Sequence, residues 1–407
     1  MSSARPGAPR RRFVSIAYTH APSDPRIRRE CETAARAGWQ VVQIGLATPG
    51  ERTVGHLNGV VLVRLKRKRY RGGTLLRYAW AYLGFLLWAR RILRILMRRG
   101  GVRAVQVTNL PNFLVWAATP ARRAGIGVIL DIRDPVPELF HSKFGHRPFS
   151  ALGVWVLRRE EVLACRAADL VVTVNEPHRR LTAEHGVPAA KLRVILNTAD
   201  AILFPLQQPR PSTPSLAYHG TVAERMGLDV VLGAIASLRT EGLGIRLAIW
   251  GDGDAVAELR AVRDRLGLGS AVELTGQRFR MDELIPRLAT IGVGLVPLRR
   301  DRFTDVILST KLMEYARLGI PAVVMWTPTQ AHYFPDDTVT YVREHSVAAW
   351  ADAIRRVLAN PGDARTRAER AQRLPVAQAW QATEAEFLAL IDEVARGPAT
   401  TETMPSR

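Results

Sequence analysis

Short apolar runs alternate with helix-length amphipathic stretches along almost the whole chain. Runs at residues 13–18, 41–44, 60–65, 104–107, 128–131, 170–174 and 194–196 predict one series of strands. A second series is predicted at 216–219, 246–250, 272–275, 293–297, 322–325 and 339–342. Strands that alternate with helices in this way predict parallel, doubly wound sheets. Between the two series lies Phe204-Pro-Leu-Gln-Gln-Pro-Arg-Pro-Ser-Thr-Pro214, with four prolines and no apolar period, which reads as a linker. The pattern therefore predicts a tail at 1–12, a domain at 13–204, a linker at 205–215, a second domain at 216–375, a helix at 376–396 and a tail at 397–407.

Composition agrees with this division. A chain of 407 residues is long for a single core. Two cysteines, Cys31 and Cys165, argue against a disulfide framework and for a reducing compartment. The basic start, MSSARPGAPRRR, is followed by no apolar segment of signal-peptide length.

Charge adds a second theme. The net charge is +21, and it is uneven: no Asp or Glu occurs at 52–130, against 16 Lys and Arg. Residues 64–71 pack six cations into eight positions. The apolar stretch 74–97 follows, with Trp80, Phe85 and Trp88, and with Arg91, Arg94 and Arg98 near one helical face. Its longest charge-free run, 78–89, is shorter than the roughly 20 residues of a membrane span. Cations and aromatics on such a helix predict docking on an anionic membrane surface through residues 64–99. No nucleic-acid recognition motif accompanies the charge, so no nucleic-acid partner is predicted. The predicted place is cytoplasmic, peripheral on the inner face of the cell membrane.

The chemistry concentrates in three pieces. In STKLMEYARLGIPAVV at 309–324, Thr310 and Lys311 open a helix and Glu314 lies one turn on. His219-Gly220-Thr221 ends a strand, with Arg225 and Gly227 in the loop beyond. Trp250-Gly251-Asp252-Gly253-Asp254 is a glycine-rich turn after another strand. Cations and helix N-termini suit a diphosphate, because they stabilise its growing charge without taking a proton. A carboxylate suits a pair of hydroxyls. No His, Cys or Asp cluster has ligand spacing, so no metal and no cofactor is predicted. Near the start, Asp24 is placed to cap a helix with Pro25 at its first position and Arg26 beside it.

In this order and spacing the three pieces resemble the C-terminal half of the family 4 retaining glycosyltransferases. Ser23-Asp-Pro-Arg-Ile-Arg-Arg-Glu30, Leu130-Asp-Ile-Arg-Asp-Pro-Val-Pro-Glu138 and Ala168-Asp-Leu-Val-Val-Thr-Val-Asn175 resemble its N-terminal half, and the resemblance covers about 13–395. It implies an α/β chain of the GT-B fold, two Rossmann-like doubly wound domains facing a central cleft. The first domain would hold the acceptor and the second the nucleotide-sugar donor, with the helix 376–396 crossing back onto the first. Arg225 and Lys311 would then serve the diphosphate and Glu314 the ribose hydroxyls. Gly220, Thr221, Gly251, Gly253 and Thr310 would line the donor, with Arg278 beside the base. Asp24, Arg26 and Arg133 would face the acceptor.

Two departures accompany the resemblance. The first Glu of the family's Glu–seven residues–Glu motif falls on Val306, leaving Asp305 or Thr304 to touch the sugar. Arg133 stands where many relatives carry a His; it cannot act as a base, but it can hold a phosphate or a sugar hydroxyl. The implied activity is retaining hexosyl transfer from a nucleotide-diphosphate sugar, without metal, to a lipid-linked or envelope polysaccharide precursor. A non-catalytic binder of sugar nucleotides or anions, and an epimerase of the same fold, are the rival readings.

Overall fold

The computed structural model describes residues 11–67, 75–145, 147–209, 212–378 and 380–397. It contains two compact units, one formed by the chain up to Leu196 and from Thr383 on, the other by Asn197–Ala382.

The first unit holds strands β1 (Arg12–His20), β2 (Gln40–Leu46), β3 (Val54–Leu57), β4 (Val60–Leu65), β5 (Val102–Thr108), β6 (Gly127–Ile132), β7 (Leu170–Thr173) and β8 (Leu192–Val194). They form one sheet in the order β3-β4-β2-β1-β5-β6-β7-β8. All neighbours are parallel except β3, which pairs antiparallel with β4. The helices are α1 (Pro25–Arg36), α2 (Leu75–Arg98), α3 (Thr119–Arg123), α4 (Val136–Phe144), α5 (Ser150–Arg166) and α6 (Glu176–Glu184).

Alternate residues of the central strands feed opposite faces. Val14 and Ile16 of β1, Val105 and Val107 of β5 and Leu130 of β6 join one buried cluster with Phe85, Ala89 and Leu93 of α2, Leu114 of the 3-10 segment Asn112–Ala118, and Cys165 of α5. On the other face Phe13 meets the last helix of the chain, described below.

The second unit holds β9 (Ser215–Thr221), β10 (Arg246–Asp252), β11 (Val272–Leu274), β12 (Val293–Val296), β13 (Ala322–Met325) and β14 (Thr340–Val342). These are wholly parallel, in the order β11-β10-β9-β12-β13-β14. Between them run α7 (Leu228–Thr240), α8 (Val256–Arg265), α9 (Met281–Leu288), α10 (Thr310–Arg317), α11 (Pro328–Tyr333), α12 (Val347–Ala359) and α13 (Pro361–Arg373). The final helix, α14 (Glu384–Ala395), belongs to the first unit. Its Phe387 lies edge-on against Phe13 at 6.4 Å. Its Glu384 accepts from Thr33 Oγ1 of α1 at 2.9 Å and pairs with Arg36.

Several boundaries differ from the sequence expectation. The first strand begins at Arg12, whose N–H donates to Gly101 O at 2.6 Å. Residues 1–10 and 398–407 of the expected tails lie outside the described residues. The proline-rich stretch is part of the second unit rather than a free linker. Arg317 Nε donates to Phe204 O (2.7 Å), Gln207 N donates to Arg317 O (3.0 Å), and Ser212 Oγ donates to Val357 O (2.6 Å). The expected single helix at 376–396 is two 3-10 turns, Pro375–Ala377 and Trp380–Ala382, followed by α14. Burial of Val376 and Trp380 keeps those turns in the second unit.

Polar side chains tie three helices of the first unit together. His185, capping α6, places Nδ1 2.6 Å from Glu161 of α5 and Nε2 3.3 Å from Glu138 of α4. Burial alone would lower its pKa. The hydrogen bonds to Glu138 and Glu161 outweigh that and raise it from 6.5 to about 9. A raised folded-state pKa adds stability that is complete below the unfolded value and is lost as pH rises through the folded one. Stability of this unit should therefore fall by on the order of 2–3 kcal/mol between about pH 6 and about pH 9.5. Denaturant unfolding of the wild type and His185→Leu at both pH values checks this. Equal pH dependence in the two proteins would contradict it.

Candidate functional site

In the second unit, β9, β10, β12 and β13 run parallel, so their carboxyl ends share one edge. Loops beyond that edge are where open parallel sheets bind ligands. At the end of β9, Gly220 adopts φ +107, a conformation L side chains rarely take. A Cβ there would lie 3.0 Å from Lys311 Cε, so the absence of a side chain lets the lysine stem lie against the strand. The Lys311 ammonium sits over the Tyr218 ring, 4.9 Å from its centroid. Lys311 is the second residue of α10, and Thr310, the first, is exposed. One turn on, Glu314 Oε2 lies 3.2 Å from Nε2 of the buried His219.

Burial governs the electrostatics of this group. It pushes the Lys311 ammonium below its ordinary pKa; Arg225 adds to that and Glu314 opposes it. It pushes the Glu314 carboxyl above its ordinary value, against the pull of Lys311. It also drives His219, with help from Lys311, down to about 3, so the imidazole is neutral. Arg225 lies in the 3-10 turn Glu224–Met226, with its guanidinium 6.0 Å from the Phe303 ring centroid. Gly227 then takes φ +63 and opens α7, where a Cβ would meet Pro297 O at 2.6 Å. Two cations and one carboxylate thus converge at the end of β9, leaving net positive charge in a partly desolvated place.

The remaining expected residues fall into three groups. Thr221 is half-buried at the strand end, and its carbonyl accepts from Tyr218 Oη. Gly251 and Gly253 have a packing cause: a Cβ on them would lie 1.8 Å from Gly220 O and 1.9 Å from Val222 O respectively. Their lack of side chains is what lets β10 approach β9 at the site. Asp252 and Asp254 are exposed, and among the described residues no group of three or more His, Cys, Asp or Glu could hold a metal ion. Arg278 is exposed beyond β11, with β10 between that edge strand and β9.

Neither stand-in for the missing glutamate is free. Asp305 accepts two hydrogen bonds from Arg300, both at 3.0 Å. The Thr304 hydroxyl is buried and donates to Arg299 O at 2.7 Å. Tyr218, beneath Lys311, was not singled out from the sequence, and His219, quoted there as part of a motif but given no role, lies beside Glu314. Their position just before Gly220 at the strand end was the available signal.

In the first unit Asp24 caps α1, accepting from Arg26 N at 3.0 Å, and Arg26 pairs with it. Arg133 does not offer a hand to a phosphate or sugar. Its guanidinium is buried among three carboxylates, with Nε on Asp131 (2.7 Å), Nη2 on Glu30 (2.8 Å) and Nη1 3.5 Å from Asp24. Gln106 Nε2 also donates to Glu30, at 2.9 Å. Burial pushes the Glu30 carboxyl up, with Arg133 opposing and Asp131 adding. Arg133 therefore neutralises a buried acidic cluster at the ends of β1, β5 and β6.

Two parallel-sheet units of this kind make the GT-B architecture. The family described as "Glycosyl transferase 4-like domain" matches residues 23–198, and the one described as "Glycosyl transferases group 1" matches 213–360. The chain belongs to the group 1 glycosyltransferases. It is similar to the alpha-D-kanosaminyltransferase of Streptomyces kanamyceticus, 29% identical over 167 residues; the match takes in 40% of this chain and 42% of that protein. Among solved structures, sucrose-phosphate synthase from Thermosynechococcus elongatus superposes with a TM-score of 0.73 at 18% identity, covering 94% of this chain and 99% of that one. Anabaena HepE, solved in complex with UDP and glucose, gives 0.68 at 13% identity, covering 94% and 100%.

Replacing Arg133 with Met should leave Glu30, Asp131 and Asp24 without their shared cation. A loss of about 3–5 kcal/mol of unfolding free energy is expected, the range for breaking a buried pair. Urea unfolding measures it, and a loss below about 1 kcal/mol would show that the cluster is not held by this residue.

Proposed function

We propose that the protein transfers a hexose from a nucleotide-diphosphate sugar to an acceptor hydroxyl with retention of configuration. The observation that carries this reading is the meeting at the end of β9 of Lys311 and Glu314, one turn apart on α10, with Arg225 of the turn Glu224–Met226. Family membership and the fold shared with a UDP complex support it.

In this reading the diphosphate lies across Lys311 and Arg225, at the N-terminal end of α10. As the sugar–phosphate bond breaks, charge grows on the leaving oxygen. A lysine already stripped of water answers that charge strongly, because little solvent must reorganise. Glu314, in this reading, accepts from the two ribose hydroxyls. The group contains no nucleophile paired with a base. In this reading the acceptor hydroxyl attacks on the face the phosphate leaves, and its proton passes to the departing phosphate oxygen. Two side-chain cations stand where a divalent ion would otherwise be needed, so transfer is proposed to be metal-independent.

The acceptor is proposed to be a lipid-linked or envelope polysaccharide precursor, and the enzyme to work in the cytoplasm, docked on the inner face of the membrane. Support comes from α2, which turns Trp80, Leu87, Arg91, Arg94 and Arg98 outward. Other parts of the expected docking segment are reassigned. Phe85 is fully buried against Tyr18 (5.2 Å), Trp88 is half-buried, and Arg64 is buried in an ion pair with Glu51 (3.0 Å). The cations at 68–71 lie outside the described residues. No helix among the described residues is long and apolar enough to cross a membrane.

Lys311→Ala should slow transfer by about 10²-fold or more, the cost of one lost electrostatic contact to the transition state. Glu314→Ala should chiefly raise the donor KM. Initial rates with UDP-, GDP- and ADP-sugars check both, and near-wild-type kinetics in the two variants would refute the site. Transfer should also persist in excess EDTA. Complete loss, restored by Mg²⁺ or Mn²⁺, would show that a metal carries the diphosphate.

A further inference from the structure

We propose that α2, the 3-10 segment Asn112–Ala118 and α5 present one continuous surface that seats on an anionic bilayer, with Trp80, Trp116 and Trp155 in the headgroup layer. The inference rests on the membrane reading above and extends it to a second helix, which carries no run of cations and was not singled out by sequence.

The three elements cover the same face of the first sheet, since all feed one buried cluster. Both α2 and α5 pack on the 3-10 segment, which therefore bridges them on that face. On α5, Leu152, Trp155, Val156, Arg159, Leu163 and Arg166 are exposed, a spacing of three and four that makes one stripe. On α2 the exposed stripe is Trp80, Leu83, Leu87, Arg91, Arg94 and Arg98. Trp80 is 69% exposed, Trp155 56%, and Phe149, just before α5, 84%. Trp116 of the bridging segment is 39% exposed and stacks on Phe113. Scattered exposed apolar residues are ordinary; several on three adjoining elements form a patch that needs an occupant.

Charge selects the occupant. Among the described residues from Leu75 to Arg166, every exposed charged side chain is a cation. The acids of that stretch, Asp131, Asp134, Glu138, Glu160 and Glu161, are buried or half-buried. Glu138 is held by Arg158 and His185, and Glu160 accepts from Asn112. A second copy meeting the same patch across a two-fold axis would set arginine rows against arginine rows. An anionic membrane instead offers phosphates to the arginines and an apolar layer to the leucines, and tryptophan favours that boundary. A single amphipathic helix could roll on a membrane. Two neighbouring stripes fix which face of the unit points down, and so the height at which an acceptor headgroup meets it.

The test compares three full-length proteins on phosphatidylglycerol–phosphatidylcholine vesicles and on pure phosphatidylcholine vesicles: the wild type, an α5 variant (Leu152→Ser, Trp155→Ser, Val156→Ser) and an α2 variant (Trp80→Ser, Leu87→Ser). All substitutions are at exposed positions, so thermal midpoints should stay unchanged. The wild type should sediment with the anionic vesicles at low salt, and each variant should partition about tenfold less well. Brominated lipid should quench wild-type tryptophan emission, and Trp155→Phe should remove part of that quenching. If the wild type stays in the supernatant, the membrane reading itself falls. If the wild type binds and the α5 variant binds equally well, that reading survives and the two-helix surface is refuted. A concentration-dependent dimer in sedimentation velocity, abolished by the α5 variant and unaccompanied by vesicle binding, would assign the patch to a second copy and overturn the proposal.

Discussion

The second unit is organised around one costly placement: the ammonium of Lys311, held largely out of water against the bare backbone of Gly220. Desolvating a cation disfavours its charged form, and only nearby compensation keeps it. Glu314 one turn along the helix and the face of Tyr218 supply part of that compensation. Arg225 works against it, because it brings a second positive charge to the same spot. The site is therefore short of negative charge. The diphosphate proposed above would supply it, and in doing so would bring the lysine back toward its ordinary basicity. Gly220, Gly251, Gly253 and Gly227 follow from the same constraint, since each removes a side chain where strand end, lysine and loop crowd together.

The first unit shows arginine in the opposite role. Arg133 is buried too, but among Asp131, Glu30 and Asp24, so its charge is spent inside the protein and none is offered to a ligand. The exposed arginines of α2, and Arg159 and Arg166 of α5, face outward, whereas Arg158 of α5 pairs with Glu138. Burial and the count of neighbouring carboxylates, not residue type, separate the structural cation from the recognising one. A charge of +21 says nothing about that difference until partners are known.

The parallel sheets were legible because strands buried on both faces leave near-continuous apolar runs, as at β2, β6 and β12. The edge strand β3 was not, since Val54-Gly-His-Leu57 alternates exposed and half-buried positions and carries no such run. The prolines before β9 looked like a linker because prolines signal loops; the arginine that binds the stretch, Arg317, lies 113 residues beyond Phe204. Lys311 and Glu314 could be read from local spacing. Arg133 could not, because Glu30 and Asp24 stand 103 and 109 residues away. On α2 the composition predicted an interfacial helix but not its phase, so Phe85 was expected outside, whereas Trp80 alone of the named aromatics is well exposed. The exposed stripe of α5, with Trp155 its one aromatic, went unnoticed for a related reason: it carries no long run of cations, and only the fold joins it to α2 through the segment Asn112–Ala118.

The central claim is that the end of β9 is a diphosphate site built on Lys311. A crystal structure of the protein with a bound nucleoside diphosphate tests it most directly. The account predicts a phosphate oxygen about 3 Å from Lys311 Nζ, with both ribose hydroxyls at hydrogen-bonding distance from Glu314. A nucleotide seated elsewhere, with no phosphate oxygen near Lys311, would contradict it.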